Sequence, residues 1–227
     1  MDPGETCLDV GANLGYMTSL LSARVGSLGR VHAFEPHPTV FARLKRNLAN
    51  FANKGAVTIY DNAVGAGDGA ADLFESAEFE ENEGTSSLVA ANAGASSHLP
   101  KHCVALRRLD SLFAEDTAIG LLKIDVEGAE LDVLNGASGM LARHRIRDIV
   151  WEDHAVYPSK SAEILCQNGY RIFQFAKRVL GPSFWEPGGK AGTRNLPWET
   201  PNYLATLDPV RADSRLRARG WYCLRGT

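Results

Sequence analysis

Several signatures are missing from this chain, and each absence narrows what it can be. Its four cysteines, Cys7, Cys103, Cys166 and Cys223, are scattered over 227 residues with no C-x-x-C pair. That spacing argues against a zinc ribbon or a disulfide framework and leaves buried, reduced thiols. Basic residues are not in excess: 24 Lys and Arg stand against 27 Asp and Glu, a formal net charge of −3. A nucleic-acid-coating surface is therefore not expected. No long apolar run is present either. The longest stretch without Asp, Glu, Lys or Arg, 84–100, is rich in Ser, Gly, Asn and Ala, unlike a membrane helix. The opening MDPGETCLDV has neither a basic nor an apolar signal region, so no secretory signal is expected, and with the cysteine usage this points to the cytoplasm. No internal repeat and no G-x-S-x-G nucleophile elbow occur.

What remains is globular: 44% hydrophobic and 22% charged residues are enough to build a sizeable core. The length suits one large domain, read here as 1–227. Strand and helix patterns alternate along it. Thr6–Val10 is a short apolar run entering a glycine loop, followed by Leu14, Met17, Leu21 and Val25 at helical spacing. Arg30–Phe34 is a second strand, and Pro38 opens a helix with Val40, Phe41, Leu44, Leu48 and Phe51 on one face. Val57–Tyr60 is a third strand. The β-α-β-α-β order implies an α/β fold, a parallel sheet with helices on both faces.

The middle breaks the rhythm. About 65–105 holds Gly65, Gly67 and Gly69, then five glutamates from Glu75 to Glu83, and reads as a hairpin or excursion with an acidic, solvated turn. Regular patterning resumes with a strand at 121–126 (LLKIDV) and one helix carrying Leu131, Leu134 and Leu141. A strand at 148–151, a helix at 161–168 closed by Gly169, a strand at 170–175 and a last strand at 202–207 follow. The segment 181–201, rich in Gly and Pro and bearing Trp185 and Trp198, reads as a lid over an acceptor or as a loop pinned by its tryptophans.

Four clusters carry chemistry. The first is Asp9-Val10-Gly11-Ala12-Asn13-Leu14-Gly15-Tyr16, a strand turning sharply into a helix. Gly11 and Gly15 lack the Cβ atoms that would keep a ligand away. The nicotinamide fingerprint G-x-G-x-x-G is absent, because Asn13 replaces the second glycine and Tyr16 stands where the third would be. No G-K-[ST] follows, so the loop is not a P-loop. An acid before a loosened G-x-N-x-G loop suits a cofactor with a positive amino-acid end and no pyrophosphate. S-adenosylmethionine (SAM) fits that description. The second cluster is Glu35, ending the second strand 20 positions after Gly15, where an acid accepts hydrogen bonds from ribose hydroxyls. The third is Asp61-Asn62-Ala63, which pairs with a purine edge or caps a turn.

The fourth is Lys123-Ile124-Asp125-Val126-Glu127-Gly128-Ala129-Glu130. Asp125 falls at a strand's carboxyl end, where open α/β sheets bind ligands. Asp125 and Glu127 could hold an ammonium group, orient an acceptor hydroxyl, bind a metal, or merely cap a helix. Trp151-Glu152-Asp153-His154 ends the next strand in the same way and puts His154 at the cleft mouth. An oxygen-rich divalent-metal set of Asp125, Glu127, Asp153 and His154 is conceivable, although the spacing does not demand it, and no metal ligands are assigned.

LDVGANLGY with HAFEP, the segments DNAVG and GTSSL, then LLKIDVEGAELDVLNGA and VWEDH resemble the FkbM family of SAM-dependent methyltransferases from about Glu5 to Phe175. The resemblance implies a class I methyltransferase Rossmann-like fold: a mostly parallel seven-stranded sheet, helices on both faces, the last strand antiparallel. It implies O-methylation of a hydroxyl on a sugar or polyketide-type natural product, with Asp9, Gly11, Asn13, Gly15 and Glu35 serving SAM. The expected partner is a small-molecule or glycan hydroxyl acceptor, with neither nucleic acid nor membrane. A base should speed attack by a poor alcohol nucleophile about 10²–10⁴-fold, with His154 the first candidate, Glu127 the second and Asp125 the third. A nicotinamide oxidoreductase and a non-catalytic SAM-binding or partner-binding module are the alternatives.

Overall fold

The structure, a computed structural model, describes residues 1–75, 86–88, 100–153, 155, 157–176, 183–187 and 200–217. In chain order the elements are β1 (Thr6–Val10), α1 (Tyr16–Val25), β2 (Arg30–Phe34), α2 (Pro38–Leu48), β3 (Val57–Tyr60), β4 (Ala63–Val64), β5 (Gly69–Phe74) and β6 (Lys101–Arg107). They continue with α3 (Leu109–Leu112), β7 (Ile119–Ile124), α4 (Glu130–Asn135), α5 (Ser138–Ala142), β8 (Ile146–Glu152), α6 (Lys160–Gln167), β9 (Arg171–Ala176), β10 (Ser183–Trp185), β11 (Asn202–Thr206) and α7 (Pro209–Arg217).

The main sheet runs β10-β9-β11-β8-β7-β1-β2-β3. The strands from β3 through β8 are parallel, and β11 is antiparallel to both β8 and β9. The sheet is mostly parallel with its last strand, β11, antiparallel, as expected, and has one strand more than the seven expected. The addition is β10, antiparallel on the outer edge of β9. It falls inside the segment read as a lid, so Trp185 stands on a paired strand; Trp198 lies outside the described residues. Burial follows the order. The central β1 and β7 are buried along nearly their whole length, whereas the edge strand β3 is only half-buried. Leu8, Val10, Leu122, Ile124, Ile149 and Trp151 from these central strands make the principal core.

Helix α2 shows why its sequence coils where it does. His37 caps it, accepting from Val40 N through Nδ1, Pro38 occupies the first turn, and Val40 and Leu44 bury one face. The single helix expected across Leu131–Leu141 is broken into α4 and α5. The break falls at Gly136, the residue that ends α4, where a Cβ would lie 2.0 Å from the carbonyl oxygen of Gly65. Asp110 then catches the amides that open α5, accepting from Gly139 N at 2.7 Å and Met140 N at 2.8 Å.

Between β3 and α3 the chain builds a second, three-stranded sheet, β4-β6-β5, with β4 parallel and β5 antiparallel to β6. Ser87 pairs with Phe74 at its end. Helix α7, unassigned from the sequence, docks through Arg211, whose guanidinium reaches Asp148 Oδ2 at 3.0 Å and Asp2 Oδ2 at 2.8 Å. Among the described residues no helix is long and apolar enough to cross a membrane.

Candidate active site

The cleft lies at the carboxyl ends of β1, β2 and β7, where the strand order changes direction between β1 and β7. It is an open cleft whose empty space, adjoining solvent included, is about 690 Å³. Of the residues singled out in the sequence, Gly11, Asn13, Glu35, Asn62, Ala63, Asp125 and Glu127 line it together. They come from four separate turns, and only the sheet order makes them neighbours.

The first turn is held from two sides. Gly11 N and Ala12 N both donate to the carbonyl of Phe34, at 3.1 and 2.9 Å, and Asn13 N donates to Glu35 Oε2 at 2.9 Å. Gly11 and Asn13 take left-handed backbone angles, φ +78° and +50°. The two glycines serve the protein's own packing. A Cβ on Gly11 would sit 1.8 Å from the carbonyl oxygen of Asp125, and one on Gly15 would sit 2.5 Å from Leu44 Cδ1 and 2.8 Å from Phe51 Cζ. Gly11 still lines the cleft. Gly15 is buried beneath it, and the adjoining Tyr16 is exposed on α1.

Asp9 lies under the loop with no exposed surface. Thr18 Oγ1 donates to its Oδ2 at 2.6 Å, and Lys123 Nζ stands 3.2 Å from its Oδ1. The same ammonium donates to the carbonyl of Gly11 at 2.7 Å and lies 3.4 Å from Asp125 Oδ2. Lys123 is thus the strut joining the two loops. The sequence reading gave it no role, although a lysine inside an otherwise apolar strand was a visible signal.

Glu35 is almost fully buried. Its Oε1 accepts from His37 N at 2.8 Å and its Oε2 from Asn13 N at 2.9 Å. Each oxygen retains acceptor capacity toward the cleft. Burial pushes its carboxyl pKa up, against the pull of the His37 and Asn13 amides and the Lys123 charge. The side-chain amide of Asn62 donates to Ala63 O at 2.9 Å, and the residue lines the cleft. Asp61 is exposed and outside the lining.

Across the cleft, Asp125 N donates to Val10 O, which fixes where the strand ends. Glu127 has φ +54°. Neither Asp125 nor Glu127 caps α4: its first flank, Ala129, offers no side-chain cap, and Glu130 Oε1 instead accepts from Val126 N and Gly128 N. Ser87, on the excursion, donates to the Glu127 carbonyl at 2.7 Å, and Ser86 and Leu88 line the cleft beside it. These serines sat in the GTSSL segment but had been given no site role.

Asp153 is committed elsewhere. It accepts from Trp151 Nε1 at 3.1 Å, Ser159 Oγ at 2.5 Å and Ala155 N at 2.9 Å. Among the described residues Asp125, Glu127 and Asp153 do not come together as metal ligands. His154 lies outside the described residues.

The strand order, with its one antiparallel strand between β8 and β9, and a cleft at the switch point define a class I methyltransferase fold. The FkbM methyltransferase domain model matches residues 9–172, and the chain belongs to that family. It is 32% identical over 180 residues to the 31-O-demethyl-FK506 methyltransferase FkbM of Streptomyces tacrolimicus, covering 68% of this chain and 67% of that protein. It is 30% identical over 189 residues to the AMB antimetabolite synthetase AmbE of Pseudomonas aeruginosa, covering 68% of this chain but 8% of that much longer protein. The crystal structure of a methyltransferase FkbM from Methylobacillus flagellatus superimposes with a TM-score of 0.56 at 18% identity, over 88% of this chain and 43% of that one. The chain thus spans less than half of that solved structure.

Proposed function

We propose that this chain methylates a hydroxyl oxygen of a small molecule or glycan, of the sugar or polyketide type, with SAM as donor. The observation that carries this reading is the cleft's division of labour: a buried acid, Glu35, beside a glycine turn on one wall, and two further acids, Asp125 and Glu127, on the other. The residues fit the donor. Asn13 Oδ1 is buried without a hydrogen-bond partner and could accept from an ammonium group. Glu35 would accept from the ribose hydroxyls, and Asn62 and Ala63 would flank the adenine. When bound, SAM supplies a methyl group already activated by a sulfonium leaving group.

The protein's remaining work is alignment and proton removal. Alignment of acceptor and donor can contribute up to about 7–11 kcal/mol in well-oriented systems. The lining carboxylate of Glu127 would take the acceptor's proton if His154, the first candidate from sequence, does not; Asp125, engaged by Lys123, comes third. The name of the S. tacrolimicus relative, a 31-O-demethyl-FK506 methyltransferase, supports methyl transfer to an oxygen.

The test is direct. Tritiated methyl from SAM is offered with a library of sugars, glycosides and polyketide alcohols, and binding of SAM and of NAD is measured by calorimetry. SAM binding with label on an acceptor oxygen is expected. NAD binding without SAM binding would overturn the reading in favour of an oxidoreductase, and label on nitrogen or carbon would overturn the O-methyl assignment.

A further inference from the structure

Three side chains with no part in methyl transfer meet at one point. His37 stands on the link between β2 and α2, Glu75 directly follows β5, and His102 lies on β6. His37 Nε2 is 2.9 Å and His102 Nε2 is 2.7 Å from the same atom, Glu75 Oε1. All three ligating atoms fall within 4.8 Å of one another, and the two rings stand edge to face at 75°. The His37 side chain is buried, while the His102 and Glu75 side chains are 32% and 16% exposed. The cluster is therefore sheltered on one side and reachable by a small ion from the other.

We propose that His37, Glu75 and His102 bind one divalent cation of the zinc type, with a water at the fourth position. Two imidazoles and one carboxylate form a mixed nitrogen and oxygen set that suits zinc and its neighbours, and it is too poor in oxygen for calcium or magnesium. Ligands about 2.0–2.1 Å from a tetrahedral ion stand about 3.3–3.4 Å apart, so the two histidine–glutamate separations need to open by roughly 0.5 Å. The rotamers of a partly exposed histidine and a partly exposed glutamate can absorb that.

One feature opposes the site. His37 Nδ1 accepts from Val40 N, which places the imidazole proton on Nε2, the ligating atom. Binding requires Nε2 to lose that proton and Nδ1 to gain one, with no net change. The bond given up is 3.4 Å long, at the outer limit of a hydrogen bond, but the protonated Nδ1 would then face the Val40 amide donor to donor, a cost that ion binding must exceed. The consequence reaches the cleft, because the His37 amide is one of the two that hold Glu35. A bound ion would tie the small sheet to the turn that presents Glu35.

Untagged protein, dialysed against a chelator, would be titrated with Zn²⁺ in competition with a chromophoric chelator, and with Co²⁺ followed by visible absorption. One equivalent bound at micromolar or tighter affinity is expected, with cobalt bands of a tetrahedral site. His102→Ala and the isosteric Glu75→Gln should each weaken Zn²⁺ binding by roughly 100-fold or more. Asp72→Asn, on the exposed surface of the same sheet, should leave it unchanged. Far-UV circular dichroism and SAM affinity report whether each variant is folded, and Glu75→Gln keeps the test valid if His102→Ala fails to fold. Absence of binding by the wild type, or one-to-one binding that both folded variants retain, overturns the site in favour of a hydrogen-bonded clamp or of ligands elsewhere.

Discussion

Glu35 offers the sharpest test of the cleft. In Glu35→Gln the side chain keeps its shape and loses its charge. The carboxylate now accepts from two backbone amides, Asn13 N at 2.9 Å and His37 N at 2.8 Å. A carboxamide has only one oxygen, so its NH₂ end must face one of those amides or turn into the cleft. Any ribose hydroxyl donating to the residue also loses a charged acceptor. A hydrogen bond to a charged group contributes about 1.5–3 kcal/mol. Loss of one such bond should weaken SAM binding roughly 10- to 150-fold. Acidity adds a second arm. Burial raises the Glu35 pKa in the folded protein, whereas bound ribose hydroxyls favour the charged form. SAM affinity of the wild type should therefore fall as pH drops through the folded-state pKa, and the Gln variant should lack that step. Stability runs the other way. Between the unfolded carboxyl value and the raised folded one, the native state holds more protons than the unfolded chain, so the Glu35 contribution falls as pH rises through that window. Calorimetry at several pH values, with circular dichroism to confirm folding, measures both. A folded Glu35→Gln protein with SAM affinity within twofold of wild type would refute the ribose assignment.

Four other outcomes are expected. Gly15→Val places a Cβ against Leu44 and Phe51 at φ +90° and should cost about 2–5 kcal/mol of stability by denaturant melt; an unaltered melt would show that α2 shifts freely. Lys123→Met leaves Asp9 buried without its cation and should cost about 3 kcal/mol, part of it recovered in the Asp9→Asn, Lys123→Met double variant; no recovery would place the loss elsewhere. Glu127→Gln and His154→Ala separate the two leading bases: the true base should lower the methylation rate about 10²-fold or more with SAM affinity intact, and a drop under about threefold in both would exclude them. Trp185→Ala, on the edge strand β10, should raise the acceptor KM if the segment covers the acceptor; a lowered melting temperature with unchanged acceptor kinetics would assign the ring to packing alone.

Much of the frame was legible because the parallel core has a local signature. The strands at Thr6–Val10, Arg30–Phe34 and Val57–Tyr60 were read at the boundaries they adopt, since each is a short run rich in apolar and β-forming residues that stops at turn residues. The break between α4 and α5 was not legible. It falls at Gly136, a helix-weakening residue, and only the fold shows that Gly136 meets the Gly65 backbone, 71 positions away (136 − 65 = 71). The packing role of the loop glycines was not legible either: the sequence shows that Cβ atoms are missing, and only the fold shows that Asp125, Leu44 and Phe51 stand where they would be.

Sequence alone determined the motif chemistry of this protein: an acid-flanked glycine turn, an acid after the second strand and a second acidic turn after an apolar strand, together resembling one methyltransferase family. These signals are local, because each is a strand ending in a turn and the turn's residue types state what it can bind. Tertiary structure alone decided which of those groups share a cleft. It put Glu35, Asn62 and Glu127 on one cavity, buried Asp9 and Gly15 beneath it, left Tyr16 and Asp61 outside, and made Lys123 the strut between two loops. It also gathered His37, Glu75 and His102 at a single carboxylate oxygen. The physical reason is that strand order and register are set by the summed burial of the whole sheet. Which turns become neighbours is therefore a property of the packed chain, to which each segment contributes only a part.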